Sequence, residues 1–167
     1  EKGGFEHFML KEIHEQPQGL RATLNPRLTE DQKAIDLREI ALDDEYIKNI
    51  EKIYIVACGT AYHAGVVGKK LIEQLAGIPV ETDIASEFRY RDPIIRKNDL
   101  FIVISQSGET ADTLAALRLA KKKGARILSV TNVVGSTVSR EADKVMYTWA
   151  GPEIAVASTK AYTTQLM

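Results

Sequence analysis

The chain has 167 residues, 44% of them hydrophobic and 27% charged, with a formal net charge of -1, a length and composition that suit one globular domain and exclude disorder and a coiled coil. Acidic and basic side chains nearly cancel, which argues against nucleic acid as a partner. The lone Cys58 excludes an internal disulfide, Glu1–Leu10 has no signal-peptide layout, and no apolar run reaches the roughly 20 residues that cross a bilayer, so a cytoplasmic location without a membrane partner is expected.

Along the chain, residues 1–50 read as a helical preface: Phe5–Gln16 and Asp43–Ile50 are amphipathic, with Pro17, Asn25 and Pro26 as breaks between segments. From residue 51 on, short apolar runs alternate with helical stretches. Strands are predicted at Ile53–Cys58, Val80–Ile84, Leu100–Ser105, Arg126–Thr131 and Lys144–Trp149, and helices at Tyr62–Ala76, Ser86–Tyr90, Thr110–Lys123 and Ser136–Ala142. Leu100–Ser105 is apolar throughout, as a strand covered on both faces should be. The pattern predicts an α/β domain with a parallel five-stranded sheet and helices on both faces, for which the order 2-1-3-4-5 is assumed. Lys121, Lys122 and Lys123 close the predicted helix Thr110–Lys123, where cations complement the dipole, and Gly124 follows as its cap. Arg89, Arg91, Arg96 and Lys97 surround Pro93 and are expected to form a solvated loop.

In an open parallel sheet, ligands bind beyond the carboxyl ends of the strands where strand order reverses. For order 2-1-3-4-5 that point lies between the first and third strands, so CGTA (58–61) and SQSGET (105–110) should face each other. A turn feeding a helix at Thr110 offers free N–H groups and a positive dipole end, to which Ser105, Ser107 and Thr110 add hydroxyls and Gln106 an amide. Gly108 keeps that backbone open, so the turn is a neutral cradle for a phosphate; neither GxxxxGK[ST] nor GxGxxG follows a predicted strand. The competing reading is that these serines and threonines merely cap the helix. Thr60 is placed to bind, whereas Cys58 reads as a small buried hydrophobe. His7, His14 and His63 lack other ligand types nearby, so no metal is expected. Gly151–Lys160, GPEIAVASTK, precedes a further helix at Ser158, and Val156, Ala157 and Ser158 either cap it or close over a ligand.

These segments resemble a known family. CGT at 58–60, ASEFRYR at 85–91, SQSGETADT at 105–113 and ASTKAYTTQ at 157–165, preceded by HFMLKEIHEQP at 7–17, are similar to the isomerase half of the glutamine–fructose-6-phosphate amidotransferases, the glucosamine-6-phosphate synthases. The resemblance implies a flavodoxin-like sugar isomerase (SIS) domain over residues 51–167. It implies a hexose 6-phosphate ligand, with phosphate held by Ser105, Gln106, Ser107 and Thr110 and sugar lined by Cys58, Gly59, Thr60, Val156, Ala157 and Ser158. It further implies a homodimer, no cofactor, and partner regions beyond this chain: a glutaminase domain, a second SIS domain and a tail that supply the catalytic groups. No catalytic residue is then expected here, and the chain is expected to be a catalytically incomplete fragment. Ala61 departs from the serine common in the family at that position. Glu109 is expected to point away from the phosphate, and Glu153 to be less constrained. SQSGET alone also fits a stand-alone SIS phosphosugar sensor or regulator, and a purely structural dimerisation module is the third reading.

Overall fold

A computed structural model describes residues 1–167. Five strands, β1 (Lys52–Ala57), β2 (Val80–Ile84), β3 (Asp99–Ser105), β4 (Arg126–Thr131) and β5 (Lys144–Tyr147), form one sheet. All neighbours are parallel, as the sequence predicts, and the order is β2-β1-β3-β4-β5, the one assumed for it. Helices α1 (Phe8–Leu24), α2 (Asp44–Lys48), α3 (Thr60–Ala76), α4 (Ala85–Phe88), α5 (Ala111–Lys122), α6 (Thr137–Glu141) and α7 (Lys160–Gln165) complete it. No helix is long and apolar enough to cross a membrane.

Side-chain alternation along β1 divides the core in two. Tyr54 and Val56 point to a layer containing Phe88, Phe101, Val103, Leu117, Ile127 and Val138 beneath α4, α5 and α6. Ile53, Ile55 and Ala57 point to the other layer, with Ala61, Val80, Leu100, Ile104 and Leu128, on the side of α3. The two-residue period of a strand covered on both faces makes both layers apolar.

The first helix runs through Pro17 instead of stopping there. Proline removes the N–H that would bond the carbonyl four residues earlier, here Ile13. The Gln16 side chain supplies a substitute: its Nε2 donates to the Ile13 carbonyl at 2.9 Å. The extended helix reaches Arg27 in the following 3₁₀ turn, whose Nη1 donates to the Thr23 carbonyl at 2.7 Å and whose Nη2 donates to the Tyr147 carbonyl at 2.5 Å. The fifth strand ends at Tyr147, two residues before its predicted end, because Trp149 N–H donates to Thr23 Oγ1 (3.1 Å) and Ala150 N–H to Asn132 Oδ1 (2.9 Å).

Two basic groups expected in solvent are tethered. Lys121 Nζ donates to the Glu141 carbonyl at 2.7 Å and Lys123 pairs with Asp92. Arg89 pairs with Asp112 at 2.7 Å, and Arg91 with Glu81 and Asp83 at 2.6 and 2.7 Å. The sequence distance between these partners hid the pairs from any local reading.

Candidate functional site

Strands β1 and β3 run in register and finish together, with Ala57 opposite Ile104. The turns that follow therefore emerge side by side and, with the segment after β5, enclose a cleft of ≈ 430 Å³. All ten residues predicted from the sequence line it: Ser105, Gln106, Ser107 and Thr110 from one turn, Cys58, Gly59 and Thr60 from the second, Val156, Ala157 and Ser158 from the third. Cys58 lies just past the end of its strand and is half-buried at the cleft wall, so it is not simply a core residue.

The hydroxyls of the 105–110 turn do not cap α5. Thr110 occupies the N-cap position, yet its side chain makes no cap bond. Ser105 Oγ accepts from Gly108 N–H at 3.0 Å and Ser107 Oγ accepts from Glu109 N–H at 3.2 Å. A hydroxyl that accepts still has a proton to donate. The N–H groups of Gln106, Ser107 and Thr110 have no acceptor within the protein. Free amides and hydroxyls thus converge at the N-terminus of a 12-residue helix, an arrangement suited to an anion. The helix's own acid, Asp112, is drawn off by Arg89 at 2.7 Å.

Glu109 does point away: its Oε1 accepts from Thr137 N–H at 2.7 Å, and that bond holds its carboxyl below the usual carboxylate range. Gly108 has a different role from the expected open approach for an anion. Its φ is +65°, and a Cβ there would lie 2.1 Å from Ser136 Oγ, so the missing side chain makes room for the start of α6.

The third wall is held by carboxylates. Glu153 is more constrained than expected: its Oε2 accepts from Thr159 N–H (3.0 Å), Ala161 N–H (2.9 Å) and Thr159 Oγ1 (3.4 Å), capping α7. The last helix accordingly begins at Lys160 rather than Ser158, which remains in the cleft wall. From α1, Glu12 accepts from the N–H groups of Ile154 and Ala155, and Glu15 pairs with the buried Lys160 at 2.6 Å. Three polar lining residues lie outside the predicted set: Thr113, Glu153 as a liner, and Gln165. Thr113 lies three positions after Thr110, one turn along α5 on the same face, and that spacing was a usable signal. Its Oγ1 stands 4.0 Å from Cys58 Sγ. Glu12 had none, because its partners are 142 and 143 residues away.

The Lys160 hydrogen bond lowers the Glu15 pKa from its ordinary 4.5. A lowered folded-state value means stability that is present above the unfolded pKa and is lost as pH falls through the folded one. Glu15→Gln is therefore expected to flatten the acid side of a stability curve below about pH 4.5 and to leave the slope above pH 6 unchanged, read by urea denaturation across pH.

A protein-family model for the SIS domain matches residues 46–167. Over all 167 residues the chain is 71% identical to the glutamine–fructose-6-phosphate aminotransferase (isomerizing) of Clostridium acetobutylicum and 70% identical to that of Clostridium tetani, and it spans 27% of the length of each. Among solved structures, the C-terminal domain of glucosamine-fructose-6-phosphate aminotransferase from Francisella tularensis aligns with a TM-score of 0.89 at 45% identity, over 99% of this chain and 46% of that one. With β1 and β3 ending in the two polar turns of one cleft, a parallel 2-1-3-4-5 sheet and a match over residues 46–167, this chain belongs to the SIS domain family.

Proposed function

We propose that the cleft binds a hexose 6-phosphate, fructose 6-phosphate or glucosamine 6-phosphate, as the first SIS domain in the isomerase half of a glutamine–fructose-6-phosphate aminotransferase. The observation that carries this reading is the set of uncommitted donors at Gln106, Ser107 and Thr110, which converge without a neighbouring cation. Ser105, Gln106, Ser107 and Thr110 take the phosphate. Cys58, Gly59 and Thr60 face the sugar from one side, and Val156, Ala157 and Ser158 from the other. A volume of ≈ 430 Å³ suits a ligand of that size.

Residues 51–167 carry the site and residues 1–50 brace it. Converting a ketose to an aldose requires a group that moves a proton between adjacent carbons. Glu153, the one carboxylate of the cleft, is committed to the start of α7, and Glu109 to Thr137. The proton-transferring groups accordingly come from other parts of the enzyme, and this domain alone binds without turnover. Its partners are a glutaminase domain, a second SIS domain and a second copy in a cytoplasmic homodimer.

The test is an NMR titration of the chain with glucosamine 6-phosphate, with glucosamine as the unphosphorylated control. The amides of Gln106, Ser107 and Thr110 are expected to shift with the phosphorylated sugar and not with the control. Shifts confined to the opposite end of the sheet, around Tyr46 and Arg126, would overturn the assignment.

A further inference from the structure

We infer that Glu12 is a positioning residue for the cleft: through the N–H groups of Ile154 and Ala155 it sets where the Ala155–Ser158 wall stands against a bound sugar. The inference rests on reading the cleft as a sugar-phosphate site and extends it to a helix that touches no ligand.

Glu12 is 2% exposed and takes part in no ion pair. Burying a carboxylate without a cation is costly, and packing α1 against its neighbours would need only an apolar residue at that position. Both of its oxygens are used on the cleft wall. Oε1 accepts from Ile154 N–H at 2.6 Å and from Ala155 N–H at 3.3 Å, and Oε2 accepts from Ala155 N–H at 3.2 Å. Bonds from amides to an ionised oxygen are the stronger kind.

Little else fixes that wall. Ile154 is 60% exposed and Val156 fully so, which leaves packing with almost no hold on the segment. The N–H groups of Val156, Ala157 and Ser158 have no acceptor in the protein. The next tether is Thr159 N–H on Glu153 Oε2 at 3.0 Å. The wall is thus suspended between two carboxylates, Glu12 at one end and Glu153 at the other. The Glu15–Lys160 pair at 2.6 Å fixes α1 against α7 and so holds Glu12 at the correct height. A glutamine at position 12 keeps one accepting oxygen and turns an NH₂ toward the Ala155 donor, so it is a half-way variant.

Because the wall faces the sugar and the Ser105–Thr110 turn faces the phosphate, two probes separate the roles. In Glu12→Ala, affinity for glucosamine 6-phosphate is expected to fall about tenfold while affinity for inorganic phosphate stays within about twofold, with Glu12→Gln between. Amide exchange at Ala155 should lose its protection in Glu12→Ala while β3 amides keep theirs. An unchanged ratio between the two ligands, whether both weaken or neither does, overturns the inference, as does an Ala155 amide that stays protected. If Glu12→Ala does not fold, the same ratio measured in Glu12→Gln decides. Replacing Ser107 and Thr110 tests the phosphate turn separately: should that variant bind both probes normally, the turn assignment fails, and the Ala155 exchange result still judges Glu12.

Discussion

Glucosamine 6-phosphate is expected to bind at least about 100-fold more weakly when Ser107 and Thr110 are both replaced by alanine, because each hydrogen bond to a charged group contributes about 1.5–3 kcal/mol and a factor of ten corresponds to about 1.4 kcal/mol. The fold should tolerate the change. Thr110 makes no cap bond, and Ser107 Oγ serves only one exposed N–H, that of Glu109. The melting temperature is therefore expected to move by no more than a few degrees. Calorimetric titration alongside thermal melts separates lost binding from lost folding. Wild-type affinity in a normally folded double variant would rule out the turn as the phosphate site.

Gly108→Ala acts on the same turn through the backbone. Its φ of +65° is a region that residues with a Cβ adopt at a cost, and the added carbon would lie 2.1 Å from Ser136 Oγ, 2.5 Å from Ser136 Cβ and 2.9 Å from Thr131 Oγ1. Ser136 is 2% exposed and its Oγ accepts from Ser139 N–H at 3.4 Å at the start of α6, so moving its side chain aside would break that bond within packed surroundings. The Gly108 carbonyl also accepts from Val138 N–H at 2.9 Å. Strain and overpacking together are expected to cost about 3 kcal/mol or more, a melting temperature lower by roughly 10 °C. Sugar-phosphate binding should fall with it, because the turn cannot keep its shape. A variant that melts within a degree or two of the wild type would show that the turn relaxes without strain.

Much of this architecture was legible in the residues. The strand–helix alternation from Ile53 onward and the fully apolar LFIVIS pointed to a parallel sheet covered on both faces, and the order assumed for it is the one observed. The site followed from the same premise: strands that end together place their turns together, and the three polar turns form one cleft. The boundaries that failed turned on single side-chain hydrogen bonds, which periodicity and turn composition do not register. Pro17 is a helix breaker by rule, yet Gln16 replaces the missing donor and α1 continues to Leu24. Helix α7 starts two residues later than expected because Glu153 caps it from outside the helix.

By itself the sequence determined which segments bury apolar side chains and which turns carry hydroxyls, and therefore a parallel sheet with two polar turns following its first and third strands. Those are consequences of periodicity and local chemistry, which act over a few residues. Only the tertiary structure decided the sheet order, that Gly108 is required by Ser136, that the hydroxyls of Ser107 and Thr110 keep a proton to donate, and that Glu12 and Glu153 suspend the third wall. Such outcomes depend on which distant groups meet when the layers pack, and a donor 142 residues from its acceptor leaves no mark on the pattern around either one.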